Sequence, residues 1–116
     1  MKLTPSLLEI DFSEAQTRIC RFIKEYVKNS GAKGIVLGLS GGIDSGTIAA
    51  LSSLAIGGEN VLGLLLPEKD NFNQKDIDDA KTVAEKFHVQ TQTCDMSAVL
   101  GCLYKAIPVF DPKDRL

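Results

Sequence analysis

Apolar residues near the start of the chain recur at three- and four-residue spacing, whereas those in the middle form unbroken runs. Ala15, Ile19, Phe22, Ile23, Tyr26 and Val27 line one face of a helix predicted over residues 14–29. Ser13 with Gln16 three positions later has the form of a capping box. Gly31 stands where a helix ends in a left-handed residue. Gly34-Ile35-Val36-Leu37-Gly38-Leu39 shows no alternation, which predicts a strand buried on both faces of a parallel sheet. Val61-Leu62-Gly63-Leu64-Leu65-Leu66, stopped by Pro67, predicts a second such strand, and the weaker alternation of Val89 to Cys94 a third.

Helices fill the intervals. Thr47 to Ala55 is small and apolar and closes at Gly57-Gly58. Residues 75–87 place Ile77, Ala80, Val83, Ala84 and Phe87 on one inner face. A fourth helix runs to about Ala106, with Ser97 as its expected N-cap. Glu68 to Gln74 reads as a polar loop, and Pro108 to Leu116 as a polar, proline-bearing tail. The order α-β-α-β-α-β-α implies parallel strands joined by right-handed crossovers. The expected class is therefore α/β, with a Rossmann-like parallel sheet and ligands at the carboxyl ends of the strands.

Composition narrows the chemistry. The 116 residues suit one domain, and a hydrophobic content of 44% suits a real core. The net charge of −2 argues against a nucleic-acid partner, which needs a basic face to displace counterions. No apolar run approaches a membrane span, and Met1-Lys2-Leu3-Thr4-Pro5 lacks a signal-peptide core. No membrane partner and a cytoplasmic location are the resulting expectations. Cys20, Cys94 and Cys102 have neither disulfide-framework nor zinc spacing and read as buried free thiols. His88, the single histidine, reads as a solvated helix end. No general base is visible.

The informative stretch is Gly38-Leu39-Ser40-Gly41-Gly42-Ile43-Asp44-Ser45, between a predicted strand and a helix. Successive amides in such a turn form an anion cradle, and the helix start adds its positive end. Gly41 and Gly42 let the backbone approach a phosphate with no Cβ in the way. Ser40 and Ser45 can add hydroxyl donors, and Ile43 is expected to anchor the loop by packing inward. Asp44 is the odd member, because a carboxylate repels phosphate unless a cation lies between. That makes it the candidate Mg²⁺ ligand. A Walker A loop would need a lysine after the glycines, and a dinucleotide fingerprint would need GxGxxG; neither is present here.

Ser40-Gly41-Gly42-Ile43-Asp44-Ser45 resembles the SGGxDS loop of the ATP pyrophosphatases, which cleave ATP between its α- and β-phosphates. The surroundings are similar to the NAD synthetase family. The similar segments are Lys33 to Leu39, Gly57 to Gly63, Leu66-Pro67 with the following polar loop, Asp79-Ala80, and Val89 to Met96. The resemblance implies a three-layer α/β/α fold of the adenine nucleotide alpha-hydrolase type. It implies ATP and Mg²⁺ bound at residues 38–45, with the adenine near Leu65 and Leu66. It also implies deamido-NAD and ammonia as co-substrates and a homodimer in the intact enzyme. This sequence departs from the family at Gly46, which replaces a small alanine-like residue, and in a 68–74 loop without serine.

Family members are longer, so residues 1–116 are expected to be the N-terminal part of one domain, a truncated chain inactive by itself. The start close to the synthetase domain points to the ammonia-dependent form. Alternatives remain another adenylating ligase of this superfamily, such as a tRNA-thiolating or amidating one, and a nucleotide-binding module without catalysis. The acidic balance and scattered cysteines count against a tRNA substrate.

Overall fold

Each segment takes the form its pattern favours. The computed structural model describes residues 9–68 and 72–107. The readings of the first residues and of the proline-bearing tail, and the middle of the 68–74 loop, fall outside that range.

The elements in order are α1 (Phe12–Ser30), β1 (Ile35–Gly38), α2 (Ile43–Ile56), a short 3-10 turn (Gly58–Asn60), β2 (Val61–Leu65), α3 (Gln74–Lys86), β3 (Gln90–Thr93) and α4 (Ser97–Ala106). The three strands are parallel in the order β1-β2-β3, with Ile35 opposite Val61 and Leu62 opposite Gln90. This is the expected α/β, Rossmann-like arrangement.

Helix ends show where local chemistry prevailed. Asp11, not Ser13, caps α1: its carboxylate accepts from the Glu14 amide at 3.1 Å, which leaves Ser13 inside the helix. Gly31 ends α1 at φ 75°, as its position predicts. Asn73 caps α3 through the Lys75 amide. Asp95 accepts from the Ser97 amide at 2.8 Å, so Ser97 opens α4 without capping it. α2 begins four residues earlier than Thr47, at Ile43, so the second half of the glycine-bearing loop is the helix's first turn.

The core lies between one face of the sheet and the pair α2 and α3. Leu39, Ala49, Val61, Leu65, Ala80, Ala84 and Val89 are buried together, with Ile35, Leu37, Ile56, Ile77 and Phe87 packed around them. Small alanines at the helix contacts bring α2 and α3 close to the strands. Gly63 at the centre of β2 leaves room for the Leu39 side chain. The other sheet face carries Val36, Leu62 and Leu64. Among the described residues only β2 has neighbours on both sides, and β1 is an edge strand. Nor is β1 buried on both faces, since Val36 on its second face is 64% exposed.

At the beginnings of the strands, backbone meets backbone. A Cβ on Gly34 would run into the Asn60 carbonyl, and one on Gly58 into the carbonyls of Phe87 and His88. The Ser53 hydroxyl donates to the Phe87 carbonyl at 2.8 Å. His88 follows α3 at φ 57° and is exposed, a solvated helix end as expected. The cysteines differ from expectation: Cys20 is half-buried, its thiol 3.6 Å from the Leu51 carbonyl, while Cys94 and Cys102 are exposed. Cys94 is exposed because it continues β3, an edge strand with all four residues exposed.

Candidate anion site at the strand ends

The ladder hydrogen bonds continue past the strands and build the floor of a site. The Leu39 amide donates to the Leu64 carbonyl at 2.9 Å. The Cys94 amide donates to the Leu65 carbonyl, and the Met96 amide to the Pro67 carbonyl, each at 2.8 Å. The chain thus leaves all three strands at one level, and β1 enters α2 through Leu39 to Gly42 with no slack.

The turn is held by its two serines. Ser45 Oγ accepts from the Ser40 amide at 3.1 Å and lies 3.0 Å from Ser40 Oγ. Ser40 Oγ in turn accepts from the Gly42 amide at 3.2 Å. If Ser45 donates to Ser40, the Ser40 proton is left free to point at a bound anion; if Ser40 donates, the Ser45 proton reaches the Gly42 carbonyl at 3.4 Å. Besides the hydroxyl they can offer a phosphate, the serines shape the loop.

The two glycines have different reasons to be there. Gly41 sits at φ 85°, and a Cβ on it would strike the backbone of Asp76 in the first turn of α3. It is a turn residue and also the contact between loop and helix. Gly42 has an ordinary extended backbone and caps α2 without a side-chain hydrogen bond. A Cβ there would meet only Ser40 Oγ, at 3.3 Å. Gly42 therefore presents bare backbone beside the first amides of α2, which no side chain caps. That combination attracts an anion.

Asp44 lies in the first turn of α2 and is exposed. It shares an open cavity of about 560 Å³ with Gly38, Leu39, Ser40, Ser45 and Leu66. A single carboxylate beside an anion cradle fits magnesium, which takes one or two carboxylates and leaves its other positions to phosphate and water. Among the described residues no cluster of three metal-ligating side chains exists, so the carboxylate would share the ion with the anion itself. Ile43 overturns its expected role. It is 84% exposed, because as the first residue of α2 it points away from the sheet.

A second cavity, of about 430 Å³, opens on the other side of Leu39 and Ser40. Leu65, Leu66 and Pro67 form its floor, Asn73 and Asp76 one wall, and Met96 and Leu100 the other. The sequence reading found neither wall. The only signal available was Asn73 as a helix cap, and caps are common. Residues 38–45 and the Leu65–Leu66 strand end, separate in sequence, meet here.

A family profile described as NAD synthase matches residues 15–109. The chain is 39% identical over 107 residues to the NH(3)-dependent NAD(+) synthetase of Methanosarcina acetivorans, covering 92% of this chain and 42% of that protein. Among solved structures it is similar to the NH3-dependent NAD synthetase of Campylobacter jejuni, with a TM-score of 0.80 and 32% identity over 89% of this chain and 44% of that one. It is also similar to the glutamine-dependent NAD+ synthetase of Acinetobacter baumannii in complex with ADP, with a TM-score of 0.79 and 27% identity over 92% of this chain and 20% of that one. The chain spans less than half the length of each of these relatives.

Proposed function

This chain belongs to the NAD synthase family, and on that premise we propose that residues 1–116 are part of a single ATP pyrophosphatase domain that amidates deamido-NAD to NAD. The observation that carries the reading is the Ser40–Ser45 turn. It joins a strand end to an uncapped helix start and opens on cavities that reach Leu65 and Leu66.

In the proposed reaction a carboxylate oxygen of the nicotinate group attacks the α-phosphorus of ATP. The bond from that phosphorus to the bridging oxygen breaks, and pyrophosphate leaves. Ammonia then adds to the activated carbonyl and loses a proton to water, and AMP departs with the former carboxylate oxygen. The amides of Ile43 to Ser45 hold the pyrophosphate oxygens where negative charge builds, in a turn fixed in advance by the serine pair. The backbone at Leu65 and Leu66 borders the adenine. Asp44 would hold Mg²⁺, which supplies charge neutralisation between the phosphates when bound. A carboxylate nucleophile needs no general base. Nitrogen comes as ammonia in this reading, as the name of the Methanosarcina relative supports.

Two copies are proposed to assemble, in the cytoplasm. No helix among the described residues is long and apolar enough to cross a membrane. Calorimetric titration with Mg·ATP, followed by competition with pyrophosphate, tests the cradle. AMP release with deamido-NAD and ammonium tests the chemistry. A chain that binds neither ATP nor pyrophosphate sinks the reading.

A further inference from the structure

Among the described residues the sheet has two edges of opposite character. β1 offers Ile35-Val36-Leu37, an apolar edge suited to burial. β3 offers Gln90-Thr91-Gln92-Thr93, polar and exposed throughout, an edge at home in water. The ladder fixes which of its backbone groups are open. The Cys94 amide donates to the Leu65 carbonyl, and Gln92 stands opposite Leu64. Even-numbered residues of β3 therefore turn their amides and carbonyls toward β2, while Thr91 and Thr93 turn theirs outward. The usual guards of an open edge are missing from β3: it has no proline and no charge, and its register with β2 is unbroken.

Beside this edge, on the α3 face, lies a cavity of about 280 Å³. Pro67, Phe72 and Ile77 line it with apolar surface, and Thr93, Lys81 and Asp95 with polar groups. The Asp95 carboxylate accepts from the Ser97 amide at 2.8 Å, whereas Lys81 makes no ion pair among the described residues. No residue of the Ser40–Ser45 turn lines this cavity.

We propose that the β3 edge binds an extended segment of another protein as an added antiparallel strand, with an apolar side chain in this cavity and an acidic one at Lys81. Added strands gain affinity from main-chain hydrogen bonds and specificity from pockets beside them, and both are present here. Antiparallel pairing is the more stable per residue, and an antiparallel edge on a parallel sheet is a common arrangement. The pleat sets the spacing. A peptide residue opposite Thr93 exchanges both backbone hydrogen bonds with it and projects its side chain to the same face, where the cavity lies. The cavity has room for one leucine-sized side chain. α3 runs against the strands, so Lys81, one turn beyond Ile77, stands nearer the start of β3. The peptide residue on that side is the one opposite Thr91, two positions further along the peptide. The segment recognised is thus an apolar residue, any residue, then aspartate or glutamate. This surface does not rest on the ligase reading.

Fluorescence anisotropy with the full chain provides the test. The probe is a labelled eight-residue peptide, threonine throughout except for a central leucine and a glutamate two positions after it. Binding should saturate and should protect the Thr91 and Thr93 amides from hydrogen exchange. Thr93→Pro removes an outward amide and leaves the bonds to β2 in place, so it should keep the parent circular dichroism and weaken binding at least about tenfold. Methylating the leucine nitrogen of the peptide, which then cannot donate to the Thr93 carbonyl, should give the same loss with the parent chain. Lys81→Glu should weaken the glutamate peptide about tenfold and bind a lysine version more tightly than the parent does. Absence of saturable binding, or binding indifferent to both the proline and the methyl group, overturns the added strand. An unchanged charge preference in Lys81→Glu refutes the acidic position and with it the recognised segment.

Discussion

Gly31 and Gly41 form a natural pair for measuring what the loop contact is worth. Both have positive φ, 75° and 85°. A Cβ on Gly31 would have nothing within 4 Å, whereas one on Gly41 would collide with the Asp76 backbone. Alanine at either site meets a left-handed penalty of about 1–2 kcal/mol, only partly offset by a stiffer unfolded chain. Gly31→Ala should therefore lower stability by about 1 kcal/mol. Gly41→Ala carries the same penalty plus overpacking of about 1–3 kcal/mol, because backbone cannot rotate away as a side chain can. Urea unfolding of the parent and both variants, with slopes checked for equality, gives the difference. Separating the loop from α3 should also weaken Mg·ATP binding about tenfold in Gly41→Ala and leave it unchanged in Gly31→Ala. Equal losses of stability in the two variants, with equal affinities, would refute the claim that Gly41 joins the loop to α3.

Three further outcomes follow from the same geometry. Asp44→Asn should weaken Mg·ATP binding by about tenfold or more while leaving circular dichroism unchanged, the side chain being exposed; equal affinities by titration would remove Asp44 as metal ligand. Gly42→Val should fold, since its φ of −85° suits any residue, yet lose pyrophosphate competition because a branched side chain would stand over the cradle; retained competition would place the cradle elsewhere. The Asp79 carboxylate, 3.0 Å away and hydrogen-bonded, raises the Lys75 pKa above 10.5. Any stability from that exposed pair is therefore complete below the unfolded value and lost as pH rises through the raised one. As pH rises above neutrality, the melting difference between parent and Lys75→Met should shrink in that alkaline window, and shrinkage near neutrality would contradict the assignment.

Local pattern decided most of the fold, and tertiary context decided the remainder. Unbroken apolar runs placed β1 and β2 within a residue or two, because no polar position competes in Val61–Leu65 or Ile35–Leu37, and the weaker alternation of Val89 to Cys94 placed the polar β3. The same runs concealed that β1 is an edge among the described residues: an apolar sequence cannot report which neighbour it has. The start of α2 was hidden because Gly42, Ser45 and Gly46 are poor helix formers, while in the fold the serine pair and the Gly42–Gly46 hydrogen bond of 3.1 Å hold that turn helical. Ser13 had the capping signature, but Asp11 lies two residues earlier and reaches the amide first. The turn from β1 into α2 was legible, since it lies in eight consecutive residues. The walls from α3 and α4 were not, because Asp76 and Met96 meet Leu39 only after two crossovers. Ile43 was misassigned because hydrophobicity alone does not say on which side of a helix's first turn a residue points.

The close backbone contacts at Gly34 and Gly58 have a mechanical consequence. Together with the Ser53 hydroxyl they brace the strand beginnings, carbonyl against Cα, with no side chain able to give way. At the opposite end the serine pair and the contact of Gly41 with the Asp76 backbone hold the turn. The sheet is clamped at both ends, so a phosphate chain arriving at the turn meets amides already in place, with no loop that must bend to grip it.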